Sequence, residues 1–103
     1  MTWDLKAGIS IATLLQQRVK REYLIQFFGS SEIPYLTSKT VNEFLLWYKA
    51  QRIKEVYLKY LSDGKEPGPE YVDLIIQIED EIRDLVQAIK RIVPEFKYIE
   101  DEE

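Results

Sequence analysis

The spacing of apolar residues along the chain predicts three helical segments. The first runs from about Ser10 to Phe28, with an apolar side chain at every fourth position along one face. These side chains are Leu15, Val19, Tyr23 and Phe27. Gly29 is expected to end the helix in a left-handed conformation, and Pro34 marks the connecting loop that follows.

The second segment begins near the sequence TSKT and continues to about Leu61. Thr40, with Glu43 three residues later, has the pattern of a capping box, and Ser38 is the alternative N-cap. The apolar face of this segment shifts around the helix at its midpoint. The pattern therefore allows either one helix or two helices that meet near Ala50, and the turn-forming run SDGKEPGP ends the segment.

The third segment starts at Pro69 and ends before Pro94. Seven of its apolar residues follow one another at alternating spacings of four and three, which is a heptad pattern. They are Tyr71, Ile75, Ile78, Ile82, Leu85, Ile89 and Ile92. Further apolar residues widen this stripe, and so broad a stripe indicates a helix that packs against more than one neighbour in a bundle.

Two stretches of the chain resemble each other at an offset of 34 positions, QRVKREYL at 17–24 and QRIKEVYL at 51–58. At the same offset, the two loops and the apolar positions of the helices that follow them also correspond. Such self-similarity is typical of duplicated helix–loop–helix units.

We therefore predict an all-α protein, a small helical bundle built from two weakly similar helix–loop–helix motifs. The motifs cover about 10–50 and 51–93 within a single helical domain, 1–95. Residues 96–103 are interpreted as a loosely held acidic tail, although its apolar side chains offer a means of pinning part of it to the domain.

The composition restricts the chemistry that the chain can perform. It contains neither histidine nor cysteine, so catalytic triads, thiol nucleophiles and imidazole or thiolate metal sites are excluded. We find no cofactor motif and no metal-binding motif, and we predict that the protein is not an enzyme. The absence of cysteine and of any long apolar run leads us to expect a cytoplasmic protein that does not associate with membranes.

The net charge of −4 is unevenly distributed along the chain. Residues 1–65 carry ten basic and six acidic side chains, whereas residues 66–103 carry four basic and twelve acidic ones. A chain with a basic front and an acidic back either neutralises itself within the fold or pairs head to tail with a second copy.

Twelve isoleucines, seven tyrosines, abundant Glu and Lys, one asparagine and no cysteine form the profile of a hyperthermophile protein. In this composition the chain resembles the small orphan proteins of crenarchaeal viruses, the filamentous and rod-shaped ones among them. The resemblance covers the whole chain and implies a thermostable helical protein that interacts with host or virion proteins in the host cytoplasm. It assigns no functional residues.

Five consecutive large residues, from Phe44 to Tyr48, encircle the second helix. A single core covers only about half of a helix, so this segment is either sandwiched between the other helices or contacts a partner. We expect a partner-binding surface centred on Trp47, in an apolar crevice between the two motifs, because Trp and Tyr dominate binding hot spots. The expected contact residues are Phe44, Trp47, Tyr48, Tyr57 and Tyr60.

The alternative is a DNA-binding protein of the helix-turn-helix type, with TSKTVNEF as the recognition helix. The sequence departs from that pattern at Pro34, inside the would-be first helix, and at Tyr35, where the turn usually has glycine. Its pI of about 4.9 also differs from the usual basic footprint. Contacts would come from Arg18, Lys20, Arg21, Lys39 and Asn42.

The most direct interpretation of the sequence is a non-enzymatic protein–protein interaction module that binds a protein or peptide partner or forms a homodimer. A structural component of an assembly is a third possibility.

Overall fold

The computed structural model describes residues 3–64, 66 and 68–100. Its regular structure over these residues is entirely helical, which confirms the predicted all-α bundle. The four helices are α1 (Leu5–Arg18), α2 (Arg21–Phe28), α3 (Ser38–Ser62) and α4 (Pro69–Ile92). The long α3 and α4 form an antiparallel hairpin, and α1 also packs against α4.

The first predicted helix is divided in two, because Val19 and Lys20 both have extended backbone conformations. A side chain at every fourth position advances about 40° around a helix at each step, so the row from Leu15 to Phe27 would rotate away from the core on a straight helix. The break at Val19 resets that rotation, and both Val19 and Tyr23 are buried. The prediction of one continuous helix was wrong here, whereas Gly29 does end α2 with φ of 80°.

The second predicted segment is one continuous helix of 25 residues, so α3 passes through Ala50 without interruption. Its N-cap is Thr37, whose hydroxyl accepts a hydrogen bond from the Thr40 amide at 3.3 Å, and neither Ser38 nor Thr40 has that role. The third segment agrees with its prediction, since α4 begins at Pro69 and ends just before Val93.

The core lies between α1, α2, the first half of α3 and the second half of α4. Phe44 and Leu45 of α3 are fully buried there beside Ile89 of α4. From α1, the fully buried side chains are Ile11 and Leu15. Of the heptad stripe of α4, Ile82, Leu85 and Ile89 pack in this core as predicted, whereas Ile92 is exposed and the N-terminal half lies outside the core cluster.

The segment between α2 and α3 is held against α1 by a close backbone approach at Gly8. The Leu36 amide donates to the Gly8 carbonyl at 3.1 Å, and the Trp3 indole donates to the Leu36 carbonyl at 2.6 Å. A Cβ atom at position 8 would lie 2.6 Å from the Leu36 carbonyl oxygen. Gly8 is therefore required by space, and the loop passes over α1 only because this position lacks a side chain.

The segment that follows α4 is packed on the domain rather than loosely held. Phe96 is buried, and its ring centroid lies 5.8 Å from that of Trp3. The Asn42 side chain forms two hydrogen bonds with the backbone of Ile99, donating at 3.0 Å and accepting at 2.7 Å. Residues 93–100 thus belong to the domain, and the rest of the predicted tail, 101–103, lies outside the described residues.

We expect Gly8→Ala to destabilise the fold by about 2 kcal/mol, because the new methyl group displaces the Leu36 backbone. On helix propensity alone, alanine at this position would raise the free energy of unfolding. A decrease would therefore show that the steric clash outweighs helix propensity. Urea unfolding followed by circular dichroism measures the effect. The control is Gln17→Ala at an exposed site of the same helix, and equal or higher stability of Gly8→Ala would contradict the close approach.

Tyr98 generates a second prediction, because its hydroxyl is buried and has no hydrogen-bond partner among the described residues. Burial, and then the charge of Glu100, raises its pKa to about 12. The folded chain therefore holds this proton more tightly than the unfolded chain, so stability present below about pH 10 is lost as the pH rises towards 12.

We expect Tyr98→Phe to raise the free energy of unfolding at pH 7 by about 1 kcal/mol, since it removes an unsatisfied hydroxyl. The variant should also lose less stability than the wild type above pH 10. Urea unfolding at several pH values measures both effects, with Tyr35→Phe as the exposed control. Parallel stability curves for the wild type and Tyr98→Phe would show that this hydroxyl is not responsible.

Candidate functional site

The aromatic residues of the first half of α3 are packed against α2 of the same chain. Phe44 is 0% exposed and Tyr48 is 6% exposed. The ring centroids of these two residues lie 5.6 Å apart, and Tyr23 lies 5.0 Å from Tyr48. The expectation that Phe44 and Tyr48 contact a partner is wrong in this structure, because α2 covers them.

Trp47 is half-buried at the edge of the same aromatic cluster. Its ring centroid lies 5.3 Å from that of Phe27, 6.0 Å from that of Phe44 and 6.4 Å from that of Tyr23. Three neighbours from the same chain therefore surround the side chain that we expected at the centre of a binding surface. Of the two interpretations of this segment, the helix sandwiched within the core is the one that the packing supports.

The residues suggested for DNA contact do not form one recognition surface. Asn42 is engaged with the backbone of Ile99, so the C-terminal segment covers this side of α3. Residues 32–37 have no regular secondary structure, so this segment does not form the first helix of the suggested helix-turn-helix. Lys39 is exposed one turn before Asn42, and Arg21 is exposed at the start of α2.

The remaining two candidates, Arg18 and Lys20, line a cleft of about 650 Å³ at the junction between α1 and α2. Arg52 and Glu55 of α3, with Glu81 and Asp84 on α4, complete its charged lining. Acidic and basic groups thus alternate in this cleft. Such a mixture does not provide the uniformly positive surface that phosphates require.

This cleft lies beside the midpoint of α3, where we expected an apolar crevice between the two motifs, but its chemistry is polar. The Tyr23 hydroxyl donates to Glu55 at 2.6 Å, and Arg52 forms a forked ion pair with Glu81. Arg52 also donates to the Tyr48 hydroxyl at 3.1 Å. These contacts tie α2, α3 and α4 together at the base of the hairpin.

Two pKa shifts in the cleft bear on catalysis. Burial, followed by the hydrogen bond to the Glu55 carboxylate, raises the pKa of Tyr23 well above its usual value. Desolvation lowers the pKa of Arg52, but the hydrogen bonds to Glu81 and Tyr48 outweigh that effect and raise it. Both pKa values move away from neutrality, which is the opposite of what general acid–base catalysis needs.

Beyond this cleft, the α3–α4 hairpin extends out of the core. We define the arm as residues 51–62 of α3 and 69–80 of α4. The core cluster includes no residue of either range, and within the arm only Ile78 is buried among the described residues. The molecule measures 48 × 26 × 25 Å, and this elongation reflects the length of the two helices.

One row of side chains on α3 connects the core to the surface of the arm. Ile53, Tyr57 and Leu61 follow Lys49 at intervals of four residues, and each lies about 40° further around the helix than the one before, so the row turns outward from the α3–α4 contact towards the tip. Tyr57 is 44% exposed and Leu61 is 53% exposed. Both side chains stay exposed because neither α1 nor α2 extends this far along α3.

A matching row on α4 meets the first row at its base. Val72, Ile76 and Glu79 share one face of α4, and Glu79 lies 3.8 Å from Lys49. The Lys49–Glu79 ion pair thus places the two rows on the same side of the hairpin. Val72 is 53% exposed and Ile76 is 48% exposed.

We call the apolar surface formed by Tyr57, Leu61, Val72 and Ile76 the arm patch. Of the predicted contact residues, only Tyr57 belongs to it. Tyr60 is half-buried and points toward Tyr71, with ring centroids 5.4 Å apart, while Tyr57 lies 6.4 Å from Tyr71. Desolvation and the charge of Glu70 raise the pKa of Tyr60.

The sequence contained a signal for the arm patch that we did not use. Val72 lies outside the heptad row of α4, and so does Ile76, yet both are large and apolar. Residues of this kind widen the apolar stripe of α4 near its N-terminus. There α3 is the described helix that packs against α4, and it leaves the widened part of the stripe exposed. We interpreted the wide stripe only as evidence for additional neighbours within the bundle.

The described residues contain no group of three or more histidine, cysteine, aspartate or glutamate side chains arranged to bind a metal ion. Within the same ranges, none of the helices combines the length and apolar character needed to cross a lipid bilayer.

The chain was compared with protein-family models, with curated proteins and with solved structures, and none of the three comparisons gave a significant match.

Proposed function

We propose that this protein is a non-enzymatic protein-interaction module, and that the arm patch is its contact surface. The observation that supports the proposal most directly is the exposure of large apolar side chains on both helices of the arm. Exposed apolar patches that lie together on one face are characteristic of protein-binding surfaces.

The arm supports this proposal better than the aromatic cluster does. Tyr57 provides the amphipathic aromatic side chain that is frequent in binding hot spots, and Leu61, Val72 and Ile76 surround it with aliphatic surface. Two neighbouring helices with an uncovered apolar face suit a partner that supplies further helices, as in a four-helix bundle. A solvated hairpin would gain nothing from apolar residues at these positions.

The chemistry of the polar cleft also favours a binding role over catalysis. The cleft has no histidine or cysteine, and the pKa values of Tyr23 and Arg52 are shifted away from neutrality. Its ion pairs connect the helices at the base of the arm. We assign the cleft to the positioning of the arm.

Site-specific photo-crosslinking in the native host cell tests the proposal. A photoreactive benzoylphenylalanine replaces Tyr57 in one variant and Tyr35 in the other, and these two tyrosines are similarly exposed, at 44% and 51%. We expect a discrete protein adduct from position 57 and none from position 35. Adding Val72→Lys to the position 57 variant should abolish the adduct without loss of helicity, because Val72 is exposed.

Failure of position 57 to give a discrete adduct would contradict the proposal. An adduct of equal yield from position 35 would show that contact is not selective for the arm.

A further inference from the structure

We propose that the arm patch binds the arm patch of a second copy of this chain, in a two-fold dimer that places α3 of each copy against α4 of its partner. This inference rests on the proposed function and specifies the partner. In such a dimer, the four arm helices form an antiparallel bundle, and the exposed apolar side chains of both copies become its core.

Charged side chains of opposite sign border the two edges of the arm patch. On the α3 side the exposed charged side chain next to Tyr57 and Leu61 is Lys54, about 60° around the helix from Tyr57. On the α4 side the edge beyond Ile76 carries Asp73 and Asp80, both exposed; Asp80 is paired with Arg83 at 2.6 Å, whereas Asp73 has no ion pair among the described residues. The patch thus has a basic edge on one helix and an acidic edge on the other.

A two-fold interface brings each surface against its own counterpart, so residue i contacts residue j and residue j contacts residue i. An axis along the arm places the basic edge of each copy beside the acidic edge of the other, at both edges at once. A surface of this kind is complementary to itself. A partner other than a second copy would need the same arrangement of charges on an unrelated chain.

The charges of Lys54 and Asp73 remain available to a partner. Lys54 and Asp73 form no ion pair with another described residue, whereas the basic groups at the base of the arm are paired with Glu79, Glu81 and Glu100. The structure therefore pairs the basic groups at the base of the arm within the chain and leaves Lys54 and Asp73 uncompensated along its middle.

By the antiparallel register, Lys54 and Asp73 are also at similar heights on the arm. Tyr60 and Tyr57 both contact Tyr71, and Arg52 contacts Glu81, so Lys54 lies at the level of about residue 76 on α4. Asp73 is about 4.5 Å away from that level along the helix axis, which is within reach of a lysine side chain.

The size of the arm predicts the strength of the dimer. The helical stretches of the arm are about 18 Å long, and two packed helices are about 20 Å wide. Faces of this size bury less than the roughly 800 Å² per partner of a standard interface. We therefore expect reversible association at micromolar concentrations, strengthened at low ionic strength by the edge charges.

Sedimentation velocity between about 1 µM and about 500 µM tests the inference on the full chain. We expect a concentration-dependent conversion to twice the 12.2 kDa chain mass. Val72→Lys should keep the molecule monomeric throughout this range while its circular dichroism spectrum stays helical. Ile25→Lys, at an exposed apolar position on α2, is the matched control and should dimerise like the wild type.

Charge reversal tests the arrangement of the helices. Lys54→Glu and Asp73→Lys should each weaken dimerisation roughly tenfold at low salt, because each places like charges at two symmetric contacts. The double variant Lys54→Glu/Asp73→Lys should restore it. An equimolar mixture of the two single variants should also restore it, as a heterodimer, and Lys39→Glu serves as the charge-matched control outside the arm.

Four outcomes would overturn the inference: a chain that stays monomeric at the highest concentration, dimerisation unaffected by Val72→Lys, a double variant that is not rescued, or a mixture that associates no better than its components. The proposed function is judged separately. If the chain is monomeric but crosslinks through position 57 to a protein of another mass, the dimer inference is wrong and the interaction surface is supported. If the chain is monomeric and no adduct forms from the arm, both the dimer inference and the proposed function are wrong.

Discussion

The length of α3, set against the size of the core that anchors it, determines the shape of the molecule. At about 1.5 Å per residue its 25 residues extend about 37 Å, whereas the molecule is only 26 Å and 25 Å across in its shorter dimensions. The helices α1 and α2 are short and cover only the first half of α3. Beyond Glu55, which accepts the hydrogen bond from Tyr23 of α2, α3 packs on α4 alone among the described helices, and two helices bury only part of each other's apolar surface.

Helix boundaries could be predicted where residues close by in the sequence determine them. The helix α4 was correctly delimited because Pro69 and Pro94 are local signals and the isoleucine row between them has a helical period. The break at Val19 has no glycine or proline to mark it, and it arises from the direction in which Tyr23 has to point. Burial also depends on tertiary contacts. Tyr23 and Tyr57 occupy the same position in the two similar stretches, yet one is buried and the other is on the arm. Duplication itself stays a prediction, although the first stretch spans a helix break and the second lies within a helix.

The charge asymmetry of the sequence has a partial explanation inside the molecule. Lys49 pairs with Glu79 and Glu100, and Arg52 pairs with Glu81, so the basic front of the chain meets the acidic back at the base of the hairpin. These pairs are partly exposed and contribute little individually to stability. Their effect is to specify register, since sliding α4 by one turn along α3 would separate every one of them. The candidate site was harder to predict than the fold, because the residues with the strongest aromatic signal, Phe44 and Tyr48, are those that the chain itself covers.

The contact between Trp3 and Phe96 places the two ends of the described chain side by side. Both ends lie where α4 finishes, and α4 is a helix of 24 residues, so they are about 36 Å from the tip of the arm. A fluorophore, an affinity handle or a surface attached through either end is therefore kept at the far pole of the molecule. Immobilised in this way, the protein would present the arm outward into solution.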